Sequence, residues 1–252
     1  MACAPVQKNF PKMNLFRRII NTTIAALVLC TLPFMQLGVY VYFLFGKTSE
    51  RKRMALHRFI NRRCSWAARN MPATTFTVDN PSGEDFSEPA LIICNHQSHF
   101  DLVYLLSLTP KMVVLTNDWV WNCPFYNILI HRAEFYPVSD GFVANLPRLQ
   151  SLVARGYSVL VFPEGTRSET CRILRFHQGA FKLARDLNVP VLPITLYGTG
   201  RLLRKHSHML APADIVVEIG RRFAAQKDAL AQAKAVRAEY KQNYERIRSR
   251  YE

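Results

Sequence analysis

The chain is short of acid. Its 18 Asp and Glu stand against 33 Lys and Arg, a formal charge of +15. Such a surface takes anionic partners, either nucleic acid or acidic lipid, and composition does not choose between them. There is no Cys-x-x-Cys pair. The six cysteines, at positions 3, 30, 64, 94, 123 and 171, are scattered, which argues against a zinc ribbon or a disulfide framework and fits a reducing compartment. Cys94, at the end of an apolar run, reads as a small buried hydrophobe. Neither His-Glu-x-x-His nor His-x-His-x-Asp-His occurs. A metal-dependent hydrolase built on His96, His99 and Asp101, with His131, His177, His206 and His208 in reserve, therefore lacks its usual spacing, and no metal site is expected. Internal repeats and low-complexity stretches are also missing.

Residues 19–46 contain no charge at all. As one straight helix they would span about 42 Å, against a hydrocarbon core about 30 Å thick. The run is long for one upright span and too short for two, and Pro33 near its middle invites a break. Both flanks are basic (Arg17 and Arg18 before, Lys47, Arg51, Lys52 and Arg53 after), so the positive-inside tendency gives a single span no clear orientation. A broken helical hairpin, re-entering one leaflet with both ends cytoplasmic, suits the pattern better than a tilted span. A cleaved signal peptide fits poorly, because no Ala-x-Ala site follows. Met13 is a possible true start. Residues 49–69 then interleave Arg51, Lys52, Arg53, His57, Arg58, Arg62, Arg63 and Arg69 with Ala55, Leu56, Phe59, Ile60 and Trp66 at helical spacing. This reads as an interfacial helix on anionic headgroups, and beside the apolar run it favours membrane lipids over nucleic acid as partner.

From about residue 75 strands and helices alternate. Strands are expected at 76–78, 91–94, 112–115, 134–138, 158–162, 191–196 and 215–219. Helices are expected at 100–108, 125–131, 143–154, 179–187 and from about 226. At 252 residues and 49% apolar content, this argues for an α/β fold. Its mixed, mostly parallel sheet would be flanked by helices, with an N-terminal membrane-embedded helical segment. The expected organisation is an anchor and interfacial helix at 1–72, an α/β domain at 73–225, and a C-terminal amphipathic helix at 226–252. That last helix carries Leu230, Ala233, Val236, Tyr240, Tyr244, Ile247 and Tyr251 in steps of three and four, and should pack on its own domain.

Two segments carry chemistry. The apolar run 91–94 leads into Asn95-His96-Gln97-Ser98-His99-Phe100-Asp101. An imidazole titrates near neutrality and can take a proton from a hydroxyl. A carboxylate on its other nitrogen would fix the tautomer and stabilise the imidazolium. Residues five apart on one helix point about 140° apart, so His96 is expected in the loop and Asp101 in the first helical turn. By itself this pair reads equally as a loop histidine beside a helix-starting acid. The second segment follows the run 158–162 as Pro163-Glu164-Gly165-Thr166-Arg167-Ser168. Gly165 would let backbone N–H groups approach an anion, and Arg167 could grip a phosphate bidentately. Glu164 could bind a substrate hydroxyl or hold that Arg. A surface turn with a local ion pair is the plain alternative.

Taken together, these segments resemble the glycerolipid acyltransferase family over residues 75 to 200. The family's first block is Asn-His-x-x-x-x-Asp, here Asn95 to Asp101. Its third is Phe-Pro-Glu-Gly-Thr-Arg-Ser, here Phe162 to Ser168 without a mismatch, and a fourth resembles Val189 to Ile194. The resemblance implies transfer of a fatty acyl group from acyl-CoA or acyl carrier protein to a lyso-lipid hydroxyl, with 1-acylglycerol-3-phosphate leading as acceptor. It implies His96 as base, Asp101 as its orienting partner, and Glu164, Gly165, Thr166 and Arg167 as substrate-binding. No cofactor is implied. The expected location is the membrane, with the catalytic domain on the cytoplasmic face; oligomeric state stays open. His99, outside the pattern, is expected to be structural. One departure matters. The family's second block, Gly-x-x-Phe-x-x-Arg, supplies an Arg thought to hold the acceptor phosphate, and this chain has Val138 or Ser139 there. The basic residue usual after the third block is also altered, to Phe176-His177-Gln178-Gly179. Either the acceptor differs, or Arg132, Arg172 or Arg175 substitutes.

Overall fold

The computed structural model describes residues 15–251; the possible start at Met13 and Cys3 lie outside them. The chain runs through α1 (Leu15–Leu29), α2 (Leu32–Leu44), α3 (Glu50–Asn70), β1 (Thr74–Asp79), β2 (Leu91–Cys94) and α4 (Asp101–Leu106). It continues through β3 (Met112–Thr116), α5 (Asp118–Trp121), α6 (Asn127–Arg132), β4 (Tyr136–Pro137), α7 (Phe142–Ala154) and β5 (Ser158–Val161). It closes with α8 (Gly179–Asp186), β6 (Val191–Tyr197), α9 (Thr199–Leu202), β7 (Ala213–Ile219) and α10 (Ala229–Tyr251).

The strands form one sheet in the order β1-β7-β6-β2-β5-β3-β4. Every pairing is parallel except β6 with β7, so the sheet is mixed and mostly parallel. β2 and β5 are buried along their whole length, as strands covered on both faces must be. That burial explains their apolar runs, Leu91–Cys94 and Val159–Val161, with Cys94 fully buried among them. The order has a direct consequence for function. β2 lies between β5 and β6, and Ile93 pairs with Val161 on one side and Pro193 on the other. Because β2, β5 and β6 run parallel, the chain leaves all three at the same sheet edge, where open α/β sheets take their ligands.

The expected strand at 134–138 shrinks to two residues. Glu134 has a φ of 56°, which no strand tolerates, and Val138–Asp140 turns into a 3-10 helix. The expected helix at 100–108 is shorter, Asp101–Leu106, and α5 and α9 fall where no helix was expected. α10 packs against β6 and α8. Ala233, Val236, Tyr240, Tyr244 and Ile247 of its stripe are buried, while Leu230 is exposed.

The apolar N-terminal run breaks at Cys30–Thr31, just before Pro33 at the start of α2. Both pieces are tied to the domain. Arg18 Nε donates to the Leu210 carbonyl and Leu210 N–H to Thr22 Oγ1. On α2, Gln36 donates to the Pro124 carbonyl at 2.7 Å and accepts from Ile128 N–H at 3.0 Å. Their outer faces carry Phe16, Leu27, Phe34, Leu37 and Leu44 in the open. The stretch Arg18–Leu44 is long and apolar enough to cross a membrane.

Candidate active site

The end of β2 is fixed by Asn95. Its side chain donates to the Leu196 carbonyl and accepts from Leu196 N–H, both at 2.8 Å, stapling β2 to β6. With that anchor, His96 lies in the loop and Asp101 opens α4, as the spacing predicts. His96 Nδ1 is 2.7 Å from Asp101 Oδ2. The same oxygen accepts from Gln97 N–H at 2.7 Å and Ser98 N–H at 3.0 Å. A carboxylate surrounded by N–H donors orients the ring so that Nδ1 carries the hydrogen and Nε2 is left with its lone pair. Asp101 is fully buried, whereas the His96 side chain is 17% exposed and stacks on Phe162 at 4.1 Å. The exposed ring edge is thus the Nε2 edge. It opens into a cavity of about 340 Å³ whose wall also includes His99, Thr116, Trp119, Val138, Phe162, Gly165, Arg167 and His177.

The second segment reaches the same cavity because β5 pairs with β2. Ser168 N–H donates to the His96 carbonyl at 2.8 Å, tying the two loops together. Gly165 has a φ of +68°, a conformation a side chain would strain. Arg167 lines the cavity and makes no ion pair among the described residues. It is the only Lys or Arg on that wall among the described residues.

Glu164 and Thr166 are not on the wall. Glu164 is 3% exposed and turned inward. Its Oε1 accepts from His96 N–H at 3.3 Å and its Oε2 from Leu174 N–H at 3.1 Å. Burial pushes its carboxyl up to about 8, against the pull of those two N–H groups and with help from the Asp101 charge. His57 is opposite in sense: burial pushes its imidazole down to about 4. These two shifts give a testable pH dependence. Between about pH 4.5 and 6.5 the folded chain holds the Glu164 proton that the unfolded chain has lost, and lacks the His57 proton that the unfolded chain holds. The two contributions oppose each other. From about 6.5 to 8 only the Glu164 difference remains, so stability should fall as pH rises, by at most about 1.4 kcal/mol per pH unit. Glu164→Gln should flatten that limb of a melting-temperature profile; a variant as pH-sensitive as the parent would contradict the assignment.

His99, expected to be structural, forms part of the cavity wall. Burial, then the charges of Arg167 and His96, lower its pKa. It packs edge-on against Trp119 at 5.7 Å. Behind this pair lies a second, apolar cavity of about 470 Å³, walled by Val28 of α1, Met35 of α2, Ile60 and Cys64 of α3, and Leu129 and Ile130 of α6. The two cavities share His99, Leu102, Thr116, Trp119 and Val120.

Among the described residues no cation fills the place of the second-block Arg. Val138 faces the cavity, and Ser139 donates to the Asp118 carboxylate. Arg132 stacks over Phe43 of α2 at 5.2 Å, and Arg172 and Arg175 are exposed off the cavity wall. Among the described residues no three His, Cys, Asp or Glu side chains converge as a metal site.

Comparison with known proteins bears on these observations. A family model described as Acyltransferase matches residues 53–197. The 1-acyl-sn-glycerol-3-phosphate acyltransferase BAT2, chloroplastic, of Brassica napus is 33% identical over 162 residues, 61% of this chain and 46% of that protein. A 1-acyl-sn-glycerol-3-phosphate acyltransferase of Chlamydomonas reinhardtii is 30% identical over 189 residues, 71% of this chain and 55% of that protein. The chain thus spans about half the length of these relatives. The crystal structure of the 1-acyl-sn-glycerophosphate acyltransferase PlsC from Thermotoga maritima matches with a TM-score of 0.71 at 20% identity, covering 92% of this chain and 98% of that one. That match shows a shared fold.

Proposed function

The chain belongs to the acyltransferase family, and from that premise we propose that it moves a fatty acyl group from a thioester donor to the hydroxyl of a lyso-lipid. The leading acceptor is 1-acylglycerol-3-phosphate, giving phosphatidic acid, by analogy with the names of its relatives. The donor is acyl-CoA or acyl carrier protein. The observation that carries the reading is the His96–Asp101 bond at the mouth of a cavity that also holds Arg167.

In this mechanism Nε2 of His96 takes the acceptor's hydroxyl proton, worth roughly 10²–10⁴ in rate. The oxygen attacks the thioester carbonyl carbon, and Asp101 stabilises the imidazolium that forms. The carbon–sulfur bond then breaks, and the imidazolium returns its proton to the leaving thiolate. No covalent acyl-enzyme is needed. Arg167 grips the acceptor's phosphate. The apolar cavity beyond Trp119 suits an acyl chain, and its walls on α1 and α2 suit entry from a bilayer. The exposed apolar faces of those helices would lie in the membrane, with Arg58, Arg62 and Arg69 of α3 on headgroups and the α/β domain on the cytoplasmic side. Flotation with anionic vesicles checks this arrangement; protein left at the bottom of the gradient would reject it.

A panel of lyso-lipid acceptors with both donors, read by mass spectrometry, tests the function. Lysophosphatidate should be the best acceptor. One observation favours a second reading: with Ser139 bonded to Asp118 where the family carries Arg, another lyso-lipid or a glycolipid could be preferred, and the panel would show it. No transfer to any acceptor would end the proposal. In the same assay Arg167→Ala should raise the acceptor KM by about 10–100-fold, the scale of a lost charge-assisted bond of 1.5–3 kcal/mol. A change confined to the donor's KM would remove the phosphate role.

A further inference from the structure

The residues matched by the family end at 197, yet the C-terminal helix α10 reaches the catalytic loop by two routes. On the first, the buried Tyr244 hydroxyl donates to Gln97 Oε1 at 3.2 Å, and Gln97 Nε2 donates to the Cys171 carbonyl at 3.1 Å. Gln97 follows His96 directly, and its N–H is one of the donors to Asp101 Oδ2. Its side chain has little freedom, because a Cβ at Gly200 would stand only 3.1 Å from Gln97 Cβ and 2.7 Å from Cys171 Sγ. On the second, the Arg237 guanidinium donates to the carbonyls of Ile173 and Leu174. Leu174 N–H holds Glu164, which holds His96 N–H. Both routes end on backbone that sets the His96 ring.

We infer that α10 is a positioning element for the catalytic histidine, with Tyr244 and Arg237 as positioning residues that act through Gln97 and Glu164. The inference rests on the reading of His96 as the base. A ring displaced by a fraction of an ångström still binds substrate but abstracts a proton poorly, and misplacement by 1 Å can cost about 10²-fold. The signature is a loss in kcat without a change in KM.

Tyr244→Phe, which keeps the buried ring and removes only the hydroxyl, should lower kcat about tenfold and leave the acceptor KM within about twofold. Gln97→Met should do the same. The double variant should be no slower than the slower single one, because both break one chain of bonds, whereas independent losses would multiply. Arg237→Met spares the buried face of α10 and provides a second variant should Tyr244→Phe not fold; it should show the same split. A readout free of turnover comes from ¹⁵N-histidine-labelled protein. Tyr244→Phe or Arg237→Met should displace the His96 ring signals and leave those of the remote His131 in place. If the wild type transfers no acyl group, the functional reading fails, while the ring signals still decide the positioning claim. Unmoved His96 signals in both variants, multiplicative losses in the double variant, or a rise in KM matching the fall in kcat would overturn it.

Discussion

Replacing His96 with alanine should lower acyl transfer by about 10²–10⁴-fold or more in a protein that still folds, with a melting temperature lowered by the loss of one donor to the buried Asp101 carboxylate. The expectation follows from where the imidazole sits. Its Nδ1 is held by a buried carboxylate and its other edge opens on the cavity, so removal takes the proton acceptor, together with the Phe162 stack and one of the three donors to Asp101 Oδ2. Asparagine at 96 should be as inactive as alanine, because it has no basic nitrogen. Turnover near that of the parent in either variant would end the assignment of the base.

Asp101→Asn should come next in size, about 10²–10⁴-fold in kcat. Asp101 Oδ2 gathers three donors, whereas Oδ1 is buried without a partner. An asparagine can place its oxygen where Oδ2 stands and its NH₂ where Oδ1 stands, so the loop can keep its shape. What it cannot keep is the charge. The imidazolium formed as the hydroxyl loses its proton then has no anion beside it, and the preference for a hydrogen on Nδ1 weakens. The loss should fall on kcat, with KM for the acceptor little changed. An Asn variant with wild-type kcat would leave Asp101 as a helix-starting residue and nothing more.

Much of this site is legible in the sequence, and the reason is local. His96 and Asp101 lie only five residues apart, so their meeting depends on one short loop and a strand end. The apolar runs at 91–94 and 158–162 announce buried strands. That the two motifs face one cavity is a different kind of fact. It depends on β5 and β6 flanking β2, and strand order is carried by contacts far apart in the chain. Glu164 illustrates the limit. Beside Gly165 and Arg167 it reads as a surface ligand, but the parallel register of Ile93 with Val161 aims it inward, under the His96 backbone. Asn95 has the same origin, with a partner, Leu196, on a strand a hundred residues away. His99 reaches the cavity wall because α4 begins two residues later and turns it toward Trp119. The strand expected at 134–138 fails for a local cause, the left-handed backbone of Glu134, whose carboxylate is held by Arg155 at 2.8 Å. The apolar spacing of α10 foretells its packing, but its hydrogen bonds to the catalytic loop come from Tyr244 and Arg237, whose partners lie 60 and more residues upstream.

The most direct test of the central claim is to mix the purified protein, in lipid vesicles, with acyl-CoA and 1-acylglycerol-3-phosphate, and to follow phosphatidic acid by mass spectrometry beside the His96→Ala variant. The account predicts steady formation of phosphatidic acid by the parent and almost none by the variant. Equal rates from the two proteins would contradict it.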